Sequence, residues 1–100
     1  MKKLEKEIEK ALRSMVIRQG GVCLKWVCPG WSGVPDRIVL LPGGRIYFVE
    51  TKRPIGGHVG PMQQWWGKQL RELGFNWFLI RDLDDVNWLE VVIKSEVSGK

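Results

Sequence analysis

Asp36, Glu50 and Lys52 are the residues of this chain whose types and spacing point to chemistry. Glu50 and Lys52 stand two apart in the run RIYFVETK, and side chains alternate along a strand, so the two share a face. The residues before them, Ile46, Tyr47, Phe48 and Val49, are apolar at both parities, the pattern of a strand buried on both sides. A carboxylate at the mouth of such a strand loses solvation, which a divalent cation and a lysine offset. Asp36 leads from Gly33-Val34-Pro35 into another apolar run, and with Gly43 at the centre of the intervening turn it faces Glu50. Two converging carboxylates, a strand carbonyl such as that of Thr51, and water form the hard oxygen shell that Mg²⁺ or Mn²⁺ favours. Such a set supports metal-assisted hydrolysis of a phosphodiester. The cation binds a phosphate oxygen and acidifies a bound water, while Lys52 orients the nucleophile and offsets charge growing in the transition state.

An Asp, a gap and a Glu-X-Lys also occur in ordinary solvated ion pairs. What favours an ion site here is context: a Gly-Val-Pro-Asp turn, a hairpin, a Glu-X-Lys closing a buried strand, and a glutamine on the next helix.

The elements that position these residues follow from periodicity. Leu4, Ile8, Ala11, Leu12 and Met15 recur at helical spacing over 3–18, and Gly20-Gly21 stops that helix. Residues 22–27 read as a strand, followed by an irregular loop containing Pro29, Gly30, Ser32, Gly33 and Pro35. Residues 37–41 and 45–51 form a hairpin about Pro42-Gly43-Gly44. After the connector RPIGGHVG, Pro61 opens a helix through Met62, Trp66, Leu70 and Leu73 to a Gly74 cap. Residues 76–81 and 88–94 read as two more strands about an acidic turn at 82–85, and 95–100 as a frayed tail. The order α-β-β-β-α-β-β predicts a mixed β-sheet flanked by helices, an α/β sandwich in one domain spanning 1–94.

Composition narrows the setting. The chain has 100 residues, 44% of them hydrophobic, enough for one core and not two. No apolar run approaches the roughly 18 residues of a membrane span, and acids interrupt the lysine-rich start, so a cytoplasmic protein without membrane contact is expected. Cys23 and Cys28 lack neighbouring zinc ligands and read as reduced thiols. The formal charge is +5, and Lys2, Lys3, Lys6, Lys10, Arg13, Arg18 and Lys25 all precede position 26. That bias suits a polyanionic partner. Six tryptophans are many for this length, and they serve core, base stacking or a subunit interface.

Gly33-Val34-Pro35-Asp36, the strand IYFVETK, and Pro61-Met62-Gln63 followed by QWWGKQLRELG resemble the virus-type replication-repair nuclease family, VRR-NUC, over residues 4–82. That family belongs to the PD-(D/E)XK superfamily, and its stand-alone phage and bacterial members are similar in length to this chain. The resemblance implies a restriction-endonuclease-like fold and a metal-dependent, structure-selective DNA nuclease; if phage-encoded, it would act in the host cytoplasm or nucleoid. It carries the catalytic roles to Asp36, Glu50, Lys52 and Gln63, and one more to an acid on the first helix. Glu5, Glu7 and Glu9 compete for that last role. Stepping about 100° per residue puts Glu5 at the edge of the apolar stripe, Glu9 farther round and Glu7 on the other flank, so Glu5 is expected to reach the metal or its waters. All three acids can instead solvate the helix and pair with nearby bases.

Gln63, at a helix start, can donate to a phosphate or orient water. His58 reads as an exposed loop residue, outside the metal site. Lys25, Arg37, Arg45 and Arg53 are candidate phosphate contacts, each also readable as ordinary surface charge. Trp66 falls on the apolar stripe, leaving Trp65 and Trp31 for a dimer interface or base stacking. These features together predict a homodimeric endonuclease that reads the shape of branched DNA, such as a four-way (Holliday) junction. Its rivals are a catalytically silent branched-DNA-binding module of the same fold and a sequence-specific restriction-type nuclease. The intact Asp36, Glu50, Lys52 and Gln63 set weighs against the first, and the lack of a visible base-reading insertion against the second.

Overall fold

In the computed structural model, which describes residues 2–98, the fold grows from a hairpin. Gly43 and Gly44 close it with φ of 84° and 74°, left-handed values that cost other residues roughly 1–2 kcal/mol each. They join β2 (Arg37–Leu41) to β3 (Arg45–Thr51) in antiparallel register, Leu41 opposite Arg45 and Arg37 opposite Val49. Strand β1 (Val22–Lys25) pairs antiparallel on the outer side of β2, and β4 (Asn76–Ile80) pairs parallel with β3. The result is a four-stranded mixed sheet in the order β1-β2-β3-β4, flanked by helices as expected. β1 ends two residues earlier than the sequence suggested, although the Trp26 amide still donates to the Asp36 carbonyl at 2.9 Å.

Alternation along β3 divides the molecule. Tyr47 and Val49 face a core formed with Ile8, Leu12, Met15 and Val16 of α1 (Lys2–Arg18); the side chain of Leu4 lies outside the described residues. Phe48 faces the other way, toward Trp26 and Phe75, on the side where Glu50 meets α2 (Pro61–Glu72). The expected stripe on α2 holds only in part. Gly67 and Leu70 are buried and Trp66 is half-buried, whereas Met62 and Leu73 are exposed. Gly67 turns inward because α2 rides so close on β4 that a Cβ there would stand 3.1 Å from the Trp77 ring.

The last element corrects the expected strand over 88–94 and frayed tail at 95–100. It is a helix, α3 (Leu83–Ser98), and residues 99–100 lie outside the described residues. Asp82 Oδ1 accepts the Asp85 amide at 2.8 Å, a side-chain N-cap, and Asp84 and Asp85 sit in the first turn where the helix dipole favours acids. The run Val91-Val92-Ile93 leans toward a strand by only a few tenths of a kcal/mol per residue. Burying Leu89 and Ile93 on the sheet contributes about 1.5–3 kcal/mol each, and with Val86 they recur at helical spacing, so packing decides. Among the described residues no helix is long and apolar enough to cross a membrane.

Candidate active site

The hairpin ladder ends at Arg37 opposite Val49, so Asp36 and Glu50 come next to each other one step beyond it. Pro35, fully buried, fixes the chain just before Asp36. Asp36 Oδ2 accepts both the Thr51 amide at 2.9 Å and the Thr51 hydroxyl at 3.0 Å, which holds the carboxylate against the end of β3. Glu50 is completely buried. Its Oε2 lies 2.6 Å from the donating Gln63 Nε2 and 3.0 Å from the Lys52 ammonium, and its Oε1 is buried with no hydrogen-bond partner. Burial pushes the Glu50 carboxyl above its ordinary range and the nearby Asp36 carboxylate adds to the rise, with Lys52 opposing both.

Gln63 is oriented by its own helix. Its Oε1 accepts the Gly60 amide at 2.8 Å at the start of α2, which leaves the amino group to face Glu50. The sequence suggested a phosphate or a water as a partner for Gln63; in the structure its amino group donates to the Glu50 carboxylate.

Among the described residues no group of three or more His, Cys, Asp and Glu side chains is placed to hold a metal ion. A cation at this site would therefore rest on Asp36 and Glu50 with backbone and water oxygens, which suits Mg²⁺, an ion held through one or two carboxylates. The orphaned Glu50 Oε1 fits that arrangement, because an unpartnered buried carboxylate oxygen costs several kcal/mol that a cation offsets.

Of the first-helix acids, the structure brings Glu9 rather than Glu5 into contact with the site. Glu9 Oε1 lies 3.4 Å from the Thr51 hydroxyl oxygen, whose single proton goes to the nearer Asp36 Oδ2, and Glu9 Oε2 lies 3.6 Å from Arg37 Nη2. Glu5 is half-buried one turn earlier on the same face of α1. The rotation of α1 on the sheet sets which of them lies against Thr51 and Arg37, and helical periodicity alone does not reveal it.

The four basic candidates separate. Arg37 joins the site through Glu9, and Lys25 is exposed on the edge strand opposite Arg37. Arg53 is half-buried after β3, its carbonyl accepting from Arg81. Arg45 does not belong with them. It lies at the far end of β3, roughly 16 Å from Glu50 at about 3.3 Å per residue. There it donates to the Ile93 carbonyl at 3.0 Å and pairs with Glu96, which also accepts from the Tyr47 hydroxyl. Its role is to tie α3 to the sheet, a partner no reading of α3 as a strand could supply.

His58 is exposed in the connector, and both cysteines are free. Sequence reasoning missed Arg81, whose guanidinium donates to the Gly57 carbonyl at 2.8 Å and braces the connector behind Lys52; no local pattern marks it. Trp31 and Trp65 are exposed and stack on each other, ring centroids 6.2 Å apart and planes 7° from parallel. Both lie near the site in sequence, Trp31 in the loop before Asp36 and Trp65 two residues after Gln63.

No protein-family profile matches the chain. A solved structure described as a VRR_NUC domain superposes with a TM-score of 0.81 at 32% sequence identity, covering 85% of this chain and 91% of that one. The chain is also 56% identical over 50 residues to the protein provisionally designated nuclease p44 of Acyrthosiphon pisum secondary endosymbiont phage 1. That match takes in 50% of this chain and spans about half of p44, 54% of its length.

Proposed function

The chain belongs to the VRR-NUC family, and we propose that it is a metal-dependent endonuclease that hydrolyses phosphodiester bonds in branched DNA. The observation that carries this reading is the buried Glu50 carboxylate, held on one oxygen by Lys52 and Gln63 and orphaned on the other, beside Asp36. Asp36, Glu50 and the Thr51 carbonyl would hold Mg²⁺ or Mn²⁺, which when bound supplies Lewis acidity toward a phosphate oxygen and a water of lowered pKa. The chain's own groups do the rest. Lys52 keeps a positive charge 3.0 Å from Glu50, where it offsets negative charge that develops on the phosphate. Gln63 fixes the orientation of Glu50, and Thr51 fixes Asp36 through its amide and hydroxyl, so neither carboxylate has to reorganise during the reaction.

The preference for branched DNA and a homodimeric state are further parts of the proposal. The family membership and the exposed Trp31–Trp65 stack support them, since stacked aromatic surface suits a second copy or an unpaired base. A light-scattering mass of one chain at working concentration would remove the dimer, and equal cleavage of linear duplex, flaps and four-way junctions would remove the structural preference.

The central experiment measures cleavage of labelled four-way junction and linear duplex with Mg²⁺ or Mn²⁺ by wild type, Asp36→Ala and Lys52→Ala. Cleavage by wild type that both variants lose while retaining DNA binding supports the nuclease. A wild type that binds DNA and cuts with neither ion makes the chain a silent binding module.

A further inference from the structure

We propose that the groove between α1 and β1 is a track for the sugar-phosphate backbone of a DNA strand leading to the Asp36–Glu50 centre, with Lys6, Lys10, Arg13 and Arg37 as its cations. The proposal rests on the reading of that centre as one that acts on DNA.

The groove has a volume of about 590 Å³, and its floor includes Cys23 and Leu24 of the edge strand. Lys6, Lys10 and Arg13 follow one another at helical spacing, so a single stripe of α1 presents all three to it. Arg37 adds a fourth cation from β2, and Glu9 is the single carboxylate in the lining. Glu9 is paired to Arg37, and among the described residues Lys6, Lys10 and Arg13 have no carboxylate within ion-pair distance. Elsewhere on the surface Arg18 faces Glu90, Arg45 faces Glu96 and Lys68 faces Glu72. Lys25, Arg53, Arg71, Arg81 and Lys94 are also outside any ion pair among the described residues, but they are spread over other elements, whereas Lys6, Lys10 and Arg13 stand on one stripe of α1. The guanidiniums of Arg13 and Arg37 both lie near enough to Cys23 to favour its thiolate, although burial outweighs them and holds the thiol above its ordinary range.

Continuity with the candidate site sets the direction of the track. Glu9 and Arg37 line the groove, and the same Glu9 lies 3.4 Å from the Thr51 hydroxyl that is bound to Asp36. From Lys6 to Ile17 the helix covers about 16 Å at roughly 1.5 Å per residue. A strand of duplex carries one phosphate per roughly 3.4 Å of axis, so the groove matches four to five phosphates. Side chains of this kind contact phosphates without reading bases, consistent with recognition by DNA shape.

The test is a salt titration of binding to labelled four-way junction and linear duplex in EDTA, comparing wild type with a Lys6→Gln, Lys10→Gln, Arg13→Gln triple variant. All three residues are exposed, so the fold should survive, and the melting temperature checks it. A Lys68→Gln, Lys94→Gln variant serves as the control from other faces. Each lost phosphate contact reduces the slope of log K against log salt by about 0.9. The expected result is a slope shallower by about 2–3 for the triple variant and affinity at least about tenfold weaker at moderate salt. The control should match wild type in slope, affinity and single-turnover cleavage rate with Mg²⁺.

A wild type that cleaves, with a triple variant of unchanged slope and affinity, overturns the groove and leaves the nuclease standing. A slope that falls in the triple variant while wild type cuts with neither metal overturns the nuclease and keeps the groove. A wild type that does not bind DNA overturns both.

Discussion

The side-chain amide of Gln63 donates to Oε2 of Glu50 at 2.6 Å, so the first turn of α2 holds the buried carboxylate at the end of β3. Removing this support should disturb the site more than the fold. Gln63→Ala is expected to lower the cleavage rate by roughly 10–100-fold, the usual cost of losing a group that orients a metal-site ligand. Its far-UV spectrum should match that of wild type. A rate within twofold of wild type would mean that Gln63 only caps its helix.

Glu9 and Glu5 give opposed expectations for the first helix. Because Glu9 meets both Thr51 and Arg37, Glu9→Gln should reduce cleavage by about tenfold. Glu5→Gln, one helical turn away, should leave it within about twofold. Single-turnover rates for the two variants decide the matter, and the reverse order would return the role to Glu5.

Gly33 joins the loop that carries Asp36 to the helix that carries Gln63. Its φ is +78°, and a Cβ there would stand 2.5 Å from the Met62 Cβ and 2.9 Å from the Gln63 amide nitrogen. Gly33→Ala adds a left-handed strain of about 1–2 kcal/mol to an overpacking cost of about 1–3 kcal/mol. Denaturant unfolding should show a loss of more than about 2 kcal/mol, with cleavage impaired because loop and helix part. Unchanged stability would show that α2 does not seat on the loop in solution.

Glu90 links α3 to the end of α1 by accepting from Arg18 at 3.2 Å and Gln19 at 2.8 Å. These bonds, that of Arg18 first, hold its carboxyl below the ordinary value of 4.5. In the window below that value the unfolded chain binds more protons than the folded one, so stability rises with pH there. The contribution is complete above the ordinary value and is lost as pH falls through the lowered one. Glu90→Gln should flatten this acid limb in a series of thermal melts, while costing less than about 1 kcal/mol at neutral pH because Arg18 is largely solvated. An acid limb identical to that of wild type would place the stabilisation elsewhere.

What the sequence determined by itself is the part of the molecule written over short distances along the chain. A tight glycine turn fixes register, so Asp36 opposite Glu50 was readable from the spacing to Gly43, and alternation put Glu50 and Lys52 on one face. Proline at the first turn likewise announced α2. The tertiary structure decided whatever depends on how separate elements settle on one another. The seating of α1 brought Glu9, and not Glu5, against Thr51 and Arg37, and a buried stripe of Val86, Leu89 and Ile93 made a helix of residues whose local preference is extended. The same packing drew Arg45 to α3 and turned Gln63 toward Glu50. Periodicity states which side chains share a face. The rotation and depth at which that face is buried come from close packing among residues far apart in the chain, which no local pattern encodes.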